Sequence, residues 1–439
     1  MRDIGLTAFI LALLPLAAAR PFVGVLLWSW VSFMNPHRLA WGFVGSLPVA
    51  AMAFCVTVVG CIIAREPRRL PVNAVTALLV VLMACVTVTS FTALAPPAVV
   101  WGKWESVIKI ILGLLLTACL LTDRWRIHAL VWLMVIAIGY FGVRGGLFTL
   151  LTGGQHIVLG PPHTIIADRN HLAVGLLVAL PLMNYLRLQS PHRLVRWGLV
   201  AAMVLTLFAA IGSQSRGALL ALAAVALFLW LRTKGGILTK LLAGIVIGIT
   251  LAGAISFMPE SWTERMRTIE TYEEDQSAMG RVRIWQAAFA IAMERPMVGG
   301  GFKAVYQQDI VDRVAPGVRA RADHSIWFEV LSEHGFPTFL VWLGILSAGV
   351  FYTLRISRLA RGRADLQWAF DLARMAQVSI VAYAVGGTFL SLGYWDFFWT
   401  LLVAVAATHA LVAQAVRQER GARLPALGLA ARPRAVAYP

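Results

Sequence analysis

The sequence predicts an all-α protein, a polytopic transmembrane helical bundle of about 12 helices with a long, partly helical external loop. Hydrophobic residues make up 59% of the 439-residue chain and charged residues only 13%, about half the charged fraction typical of soluble proteins. Apolar stretches close to the roughly 20 residues needed to cross a bilayer recur along the chain. These stretches are continuous rather than alternating, which favours helices over a closed barrel.

The apolar segments can be identified directly in the sequence. The first two are short and form either two separate spans or one broken, partly re-entrant element, so 12 or 13 helices are expected. The opening segment meets Arg20-Pro21 without a clear cleavage pattern, which argues against a removed signal peptide. The segments cover approximately residues 4–18, 20–34, 42–64, 71–94, 104–122, 127–143, 171–187, 195–212, 217–231, 241–258, 336–354, 373–392 and 397–416.

Basic residues are distributed unevenly between the loops. The net charge of +17 lies mostly in short loops, where the orientation of helices explains it better than nucleic-acid binding does. Because arginine-rich loops stay in the cytoplasm, the C-terminus is also expected there. The arginine-rich loops carry Arg65, Arg68, Arg69, Arg124, Arg126, Arg187, Arg193, Arg196, Arg232, Lys234, Lys240, Arg355, Arg358, Arg361, Arg363, Arg374, Arg417, Arg420 and Arg423. The alternate loops carry Arg38, Lys103, Arg144, Arg169 and Arg216.

Three polar regions fall on the external face in this topology. They are the loop from Arg144 to His171, the turn around Arg216, and the long segment from Pro259 to Asp323. Although these regions are far apart in sequence, they can meet in one external cavity. The predicted organisation is transmembrane helices in 1–258, an external loop region in 259–325, further helices in 326–416 and a cytoplasmic tail in 417–439.

The long polar segment contains a predicted helix. Residues 281–295 place Val282, Trp285, Phe289 and Ala292 at helical spacing, and Pro296 stops the helix. This helix could lie on the membrane surface with its apolar face down, or it could cap the transmembrane bundle. The V-G-G-G run that follows predicts a flexible turn rather than a phosphate-binding loop, because no lysine-serine or lysine-threonine follows it.

His324 is the first candidate for chemistry. It lies where the external segment returns to the membrane, and its imidazole titrates near neutrality and can take a proton from a hydroxyl group. The alternative is a structural histidine that forms a hydrogen bond at the start of a helix.

Arg216 is the second candidate. It lies in a polar break, G-S-Q-S-R-G, between two apolar segments on the arginine-poor side. A guanidinium group can bind phosphate oxygens in a bidentate manner. An arginine at the end of a membrane helix can instead simply reach the interface.

Other polar residues give weaker predictions. Arg144 resembles Arg216 in its placement, and the external segment adds several arginines among acidic residues, a pattern that usually indicates a solvated surface. The spacings of His156, His163, Asp168 and His171 match no zinc pattern, so no metal is predicted. The four cysteines, which lie inside apolar segments, are interpreted as packing residues: Cys55, Cys61, Cys85 and Cys119.

Two motifs resemble those of a known family. Arg216 followed by Leu220 gives R-x-x-x-L at an external helix end. His324-Ser325, followed by nine residues, Gly335, two residues and Thr338, gives H-S-x9-G-x-x-T. With about twelve helices and a long external loop, the chain resembles the O-antigen ligase family, within the O-antigen ligase and polymerase superfamily. The run from Met34 to Arg38 looks like a branch described as O-glycosylation ligases.

The resemblance implies a multi-pass glycosyltransferase of the bacterial inner membrane with its active site facing the periplasm. Such enzymes move O-antigen glycan from undecaprenyl diphosphate to lipid A–core oligosaccharide, without a metal or other cofactor and with inversion at the anomeric carbon. By motif, His324 would activate the acceptor hydroxyl and Arg216 would bind the diphosphate. On placement alone, Arg265 and Arg144 would also bind phosphate.

Several other functions are compatible with the sequence. An O-antigen polymerase or a protein O-oligosaccharyltransferase would use the same donor with a different acceptor. A lipid-linked glycan transporter would instead require internal repeats and charged residues along a path through the membrane, and neither is clear in the sequence. A structural scaffold is a weaker alternative.

Overall fold

The chain folds entirely into helices in the part that the structure describes. The computed structural model describes residues 2–40, 42–69, 71–233, 235–267 and 276–429, without the side chains of residues 247, 254, 261, 265, 267, 276–278 and 420–429. Helix accounts for 78% of the structure, and no strand is present in these ranges. The helices are α1 (Arg2–Ala19), α2 (Pro21–Met34), α3 (Val49–Ile63), α4 (Ala74–Phe91), α5 (Pro97–Leu120), α6 (Arg124–Leu151), α7 (Arg169–Gln189), α8 (Arg193–Gly212), α9 (Arg216–Arg232), α10 (Ile237–Ser256), α11 (Glu260–Arg267), α12 (Gln276–Glu294), α13 (Gln308–Val314), α14 (Ile326–Leu359), α15 (Gln367–Gly387) and α16 (Asp396–Leu429).

Seven of the described helices are long and apolar enough to cross a membrane: α1, α4, α6, α7, α8, α14 and, over Asp396–Glu419, α16. Three shorter apolar stretches lie in α2, α3 and, over Ile237–Gly253, α10. The all-helical class of the protein is therefore confirmed. The count of about twelve spans and the periplasmic position of the loop region stay predictions.

Small residues allow the central helices to approach closely. Gly142 and Gly146 of α6 lie against Thr206 and the Leu205 carbonyl of α8, where an added Cβ would overlap either neighbour. Gly212 of α8 meets Thr149 of α6 in the same way. Packing of this kind is the usual means of helix association in lipid, where helices gain little from hydrophobic burial against each other.

The arginine-rich loops come together at one end of the bundle. Arg126 at the start of α6 donates hydrogen bonds to Glu66 (2.6 Å) and to the Pro67 carbonyl (3.0 Å) in the loop after α3. Between α14 and α15, Arg363 forms an ion pair with Glu419 in α16 (2.8 Å). Arg69, in the loop after α3, donates to Gln414 of α16 (3.0 Å) and so joins these two sets of contacts at one end. The compartment that this end faces stays a prediction.

Two local predictions need correction. The predicted segment 127–143 ends too early, because α6 continues to Leu151 and includes Arg144 about two turns before its end. The helix predicted at 281–295 exists as α12, and Ala292 of the predicted face is buried, but Phe289 is 45% exposed and the rest of the buried face is formed by Ile284, Ala287 and Ile291. Since α12 packs against α14, its position agrees with the capping alternative.

Candidate active site

His324 lies in the turn that leads into α14. Its backbone has a positive φ of 47°, an unusual conformation for a residue other than glycine. The His324 N–H donates to the Ser391 hydroxyl oxygen (3.1 Å), and the Ser391 hydroxyl donates to Asp323 Oδ1 (2.9 Å). The Trp285 indole of α12 donates to the Asp323 carbonyl (2.6 Å). The turn is therefore held from two sides, by α12 and by the segment between α15 and α16.

The surroundings of His324 keep its imidazole neutral. Burial, followed by the positive charge of Arg281 and the neighbouring His171, lowers the pKa of His324 to about 4. The imidazole is half-buried and forms no hydrogen bond with the described part of the protein. A neutral imidazole at pH 7 has a free lone pair and can accept a proton from a bound hydroxyl group.

Arg216 is the first residue of α9, immediately after a tight turn from α8. Gln214 adopts a left-handed conformation with φ of 55°, and the Ser215 hydroxyl caps α9 by accepting from the Ala218 N–H (3.2 Å). The turn is buried up to Ser215, because the Trp262 side chain of α11 covers it and donates to the Ile211 carbonyl (3.0 Å). The Arg216 side chain itself is partly exposed.

The Arg216 turn and the His324 turn lie at the same end of the bundle. Arg281, on α12, lines a narrow crevice with Ser215 and Gly217 and also lowers the pKa of His324. One turn further along α12, Trp285 contacts the Phe389 ring at a centroid distance of 6.2 Å. Phe389 packs against Gly217, where an added Cβ would lie 3.3 Å from Phe389 Cβ. Helix α12 thus connects the two predicted site residues.

The start of α7 adds two titratable groups beside His324. Asp168 caps α7, accepting from the Asn170 N–H (2.8 Å) and from His171 Nδ1 (3.3 Å). Although burial alone would raise the pKa of Asp168, the hydrogen bonds from His171 and Asn170 hold it below its usual range. Both residues act electrostatically on His324, with opposite signs. Asp168 therefore pairs with His171.

The glycine of the H-S-x9-G motif forms a kink in α14. Gly335 has φ of 73° and ψ of −177° inside the helix. The kink leaves helix carbonyls free, and the V-G-G-G turn binds them: the N–H groups of Gly300 and Gly301 donate to the carbonyls of Ser332 and Glu333 (2.8 Å each). The Phe336 N–H donates back to the Pro296 carbonyl (2.8 Å). This turn therefore fixes the position of α12 relative to α14.

Buried acidic side chains bind the backbone around the His324 turn and the V-G-G-G turn. Glu329 accepts from the Gly393 N–H (2.8 Å), and Lys103 lies 3.9 Å from its other oxygen. Glu333 accepts from the Lys303 N–H (2.9 Å) and the Tyr394 hydroxyl (3.0 Å). Burial and these nearby carboxylates raise the pKa of Asp323. Each of the three buried carboxyl groups has a hydrogen-bond donor, as buried polar groups require. Asp323, Glu329 and Glu333 therefore have a structural role, holding the backbone around the site in place.

The remaining predicted residues occupy other positions. Arg144 lies on α6 and faces a cavity formed by α6, the segment 157–163 and residues between Arg2 and Gly45. Arg265 lies in α11, and its side chain is outside the described residues. No group of three or more His, Cys, Asp or Glu side chains in the described ranges is arranged to hold a metal ion.

Sequence reasoning gave too little weight to two residues at this end. Arg281 is one of several arginines in a charged segment, and Ser391 is a small polar residue between apolar helices. The position of Arg281 on the predicted helix, one turn before Trp285, was a usable signal. Nothing local marks Ser391, since only the packing of α15 and α16 brings it to His324.

The fold and the site together define a class: an all-helical, multi-pass membrane protein with an imidazole and guanidinium groups gathered at one end of its bundle. Residues 201–343, which include Arg216, Arg281 and His324, match the family model described as O-antigen ligase. The predicted resemblance to the O-antigen ligase family is therefore confirmed over these residues. Residues 1–190 match a family of unknown function. No curated protein matches the chain.

Proposed function

We propose that the protein is a glycosyltransferase that moves O-antigen glycan from undecaprenyl diphosphate to lipid A–core oligosaccharide. The observation that carries the proposal is the neutral His324 at the same end as Arg216, both within the residues that match the O-antigen ligase model. The match itself supports a ligase-type or polymerase-type membrane enzyme. The donor, the acceptor and the residue roles are the proposed part.

In the proposed reaction, His324 acts as the general base. The acceptor hydroxyl oxygen forms a bond to the anomeric carbon, and the bond from that carbon to the diphosphate oxygen breaks. The electron pair stays on the diphosphate, and the hydroxyl proton goes to the His324 imidazole. Attack from the face opposite the leaving group inverts the anomeric centre. General-base catalysis typically contributes about 10²–10⁴-fold.

Arg216 binds the diphosphate and stabilises the charge that grows on it as the bond breaks. Fixed guanidinium groups in a poorly hydrated site are effective in this role because they need no reorganisation during the reaction. Arg281 lines a crevice with Ser215 and Gly217, the two neighbours of Arg216 in the chain, and adds positive charge there. Arg265 stays a prediction as a further phosphate ligand, and Arg144 stays one on sequence placement only, because its side chain lines a separate cavity. The reaction is expected to proceed in the presence of a chelator, and a requirement for added Mg²⁺ or Mn²⁺ would contradict this arrangement.

The His324 end faces the periplasm in this proposal, with the C-terminus in the cytoplasm. Support comes from the arginine-rich loops at the other end and the positive-inside rule. Single cysteines placed at Arg216 and Arg321, both partly exposed, in a chain whose four native cysteines are replaced by serine, should react with a membrane-impermeant maleimide added to intact spheroplasts. Labelling of the two positions from opposite sides would contradict a shared active site.

The decisive experiment is transfer by the purified full-length protein from a defined undecaprenyl-diphosphate-linked glycan. Parallel reactions contain lipid A–core, a second lipid-linked glycan or an acceptor protein, and products are followed by gel mobility and mass spectrometry. Transfer to lipid A–core supports the proposal. Chain growth on the lipid carrier would instead identify a polymerase, and modified protein would identify a protein O-oligosaccharyltransferase.

A further inference from the structure

A second site lies away from His324, at the same end of the bundle. A cavity of about 830 Å³ is lined by Arg2 of α1, by His37 and Arg38 after α2, and by Tyr140 and Arg144 of α6. The segment 157–163 completes its wall. Five of the residues that line the cavity are arginine or histidine, and no lining residue is acidic. The cavity is within the size range of small-molecule sites and suits a negatively charged group.

The three arginines of this cavity have no partner among the residues that the structure describes. In the part of the chain that the structure describes, the side chains of Arg2, Arg38 and Arg144 form no ion pair and no hydrogen bond. The one acidic residue beside Arg2, Asp3, accepts a hydrogen bond from the Gly42 N–H (3.0 Å). In addition, Nδ1 of His37 is buried without a hydrogen-bond partner in the described ranges. Three uncompensated guanidinium groups around one cavity favour an anionic ligand.

An apolar groove of about 340 Å³ lies between the same three helices. It is lined by Phe9 and Leu13 of α1, Trp30 of α2, and Leu133 and Ile136 of α6. Its walls are partly open to the surroundings, with Phe9 52% and Ile136 55% exposed. In a membrane-spanning bundle such a surface faces lipid tails.

The groove leads toward the cavity along each of the three helices. On α6, Ile136, Tyr140 and Arg144 follow at intervals of four residues and so share one face. Eight residues of helix correspond to a rise of about 12 Å. On α1, Arg2 precedes Phe9 by two turns, and α2 passes from Trp30 to its end at Met34, just before Arg38. An apolar groove that ends among guanidinium groups matches a lipid with a negatively charged headgroup.

We propose that this groove and cavity bind an anionic phospholipid, with its tail between α1, α2 and α6 and its phosphate headgroup among Arg2, Arg38 and Arg144. The inference rests on the membrane-spanning helices and not on the proposed reaction. The segment 157–163 connects this cavity to the candidate active site, because the Val158 N–H donates to the Gly212 carbonyl (3.4 Å), directly before the Arg216 turn. The lipid therefore lies next to the candidate active site without entering it.

The test is native mass spectrometry of the full-length protein in detergent, with phosphatidylglycerol, phosphatidylcholine, undecaprenyl diphosphate or inorganic phosphate added separately. Wild-type protein should retain phosphatidylglycerol in preference to phosphatidylcholine. Arg38→Gln and Arg144→Gln should each reduce this retention about fivefold, and the double variant about 25-fold. Arg193→Gln, an exposed arginine at the opposite end, is the matched control and should retain the lipid as wild type does.

A second variant tests the groove separately. Ile136→Trp fills the tail position without changing charge and should also reduce retention of phosphatidylglycerol. Because the four substituted positions are exposed, thermal unfolding should stay at the wild-type temperature. Equal retention of the two phospholipids, or wild-type retention by the double variant, would overturn the proposal. Wild-type retention of phosphatidylglycerol by Ile136→Trp, together with binding of inorganic phosphate alone, would also overturn it, because the cavity would then bind a free anion and the groove would hold no lipid tail. Loss of both phosphatidylglycerol and undecaprenyl diphosphate in Arg216→Lys would overturn it as well, since a single donor site would then explain both.

Discussion

The turn that carries His324 and the kink that carries His334 lie ten residues apart on the same stretch of chain, yet they place two imidazoles in opposite situations. His334 is fully buried, bonds the Thr89 hydroxyl through Nδ1 (2.6 Å), and meets the Phe302 ring edge-on at 4.4 Å. His324 is only half-buried, and its ring has no hydrogen-bond partner among the described residues. The difference teaches that packing, and not residue type, decides which imidazole is available to a substrate.

The arginines show the same contrast between the two ends of the bundle. Arg126 is buried and bound by Glu66, Asp123 and two backbone carbonyls, so its charge is fully used inside the protein. Arg38 and Arg144 form no such contacts in the described structure. A cation whose charge is compensated internally contributes to stability, whereas one left uncompensated beside a cavity can bind a ligand.

The largest expected effects come from replacing each of the two histidines by alanine in separate variants. His324→Ala should lower the transfer rate by about 10²–10⁴-fold, because the general base is lost, while abundance and unfolding temperature stay close to wild type. His334→Ala should instead lower stability by about 2–4 kcal/mol, because it leaves a cavity and removes the hydrogen bond between the ring and the Thr89 hydroxyl, which keeps only its bond to the Val86 carbonyl (3.2 Å). The folded fraction of the His334→Ala variant should transfer glycan at a rate near that of wild type. The measurements are the transfer assay and thermal unfolding in detergent; if His324→Ala transferred normally, the contrast would collapse.

Arg216→Lys should have the next largest effect on transfer. A lysine keeps the charge but cannot form two parallel hydrogen bonds to a phosphate, so the rate should fall about 10- to 100-fold, as expected for losing a charge-assisted hydrogen bond. Arg193→Lys, at the opposite end, should change nothing. Initial rates at several donor concentrations measure both, and equal rates for Arg216→Lys and wild type would remove the bidentate role.

Gly335→Ala tests whether the kink separates the two histidines. An added Cβ would lie 2.5 Å from the Pro296 carbonyl oxygen, on a residue with φ of 73°. The backbone conformation alone should therefore lower the free energy of unfolding by about 1–3 kcal/mol. Gly253→Ala is the control, because its Cβ would meet nothing within 4 Å. Thermal unfolding should distinguish the two variants, and equal stability would mean that the kink adapts without cost.

The smallest expected effect is a shift in pH dependence. Since the pKa of His324 is lowered to about 4, its neutral, proton-accepting form is present above that pH and is lost as the pH falls through 4. Transfer should therefore persist at pH 5 and 6, where an ordinary histidine with a pKa near 6.5 would be partly or largely protonated.

Arg281→Gln sharpens this measurement. It removes a nearby positive charge and should move the acid limb of the pH profile upward, but not as far as 6.5, because burial is the largest cause of the shift. Arg283→Gln changes an exposed arginine on the same helix and should leave the profile in place. A profile unaffected by Arg281→Gln would show that His324 is not the titrating base.

The site was predictable from sequence only where local signals exist. His324, Gly335 and Arg216 stand out because motif spacing and polar breaks in apolar sequence mark them. The buried face of α12 was predicted only in part: Ala292 is buried, but helical spacing also favoured Phe289, which is exposed, whereas contact with α14 buries Ile284, Ala287 and Ile291.

The sequence by itself determined the helical class, the approximate apolar segments, and the separation of arginine-rich from arginine-poor loops, because hydropathy and charge act residue by residue. Only the tertiary structure decided which polar residues meet. It brings Ser391 and Arg281 to His324, seats the V-G-G-G turn on the α14 kink, and joins Arg144 to Arg2 and Arg38 around one cavity. These contacts depend on the packing of helices distant in sequence, and no local pattern in the chain encodes such distances.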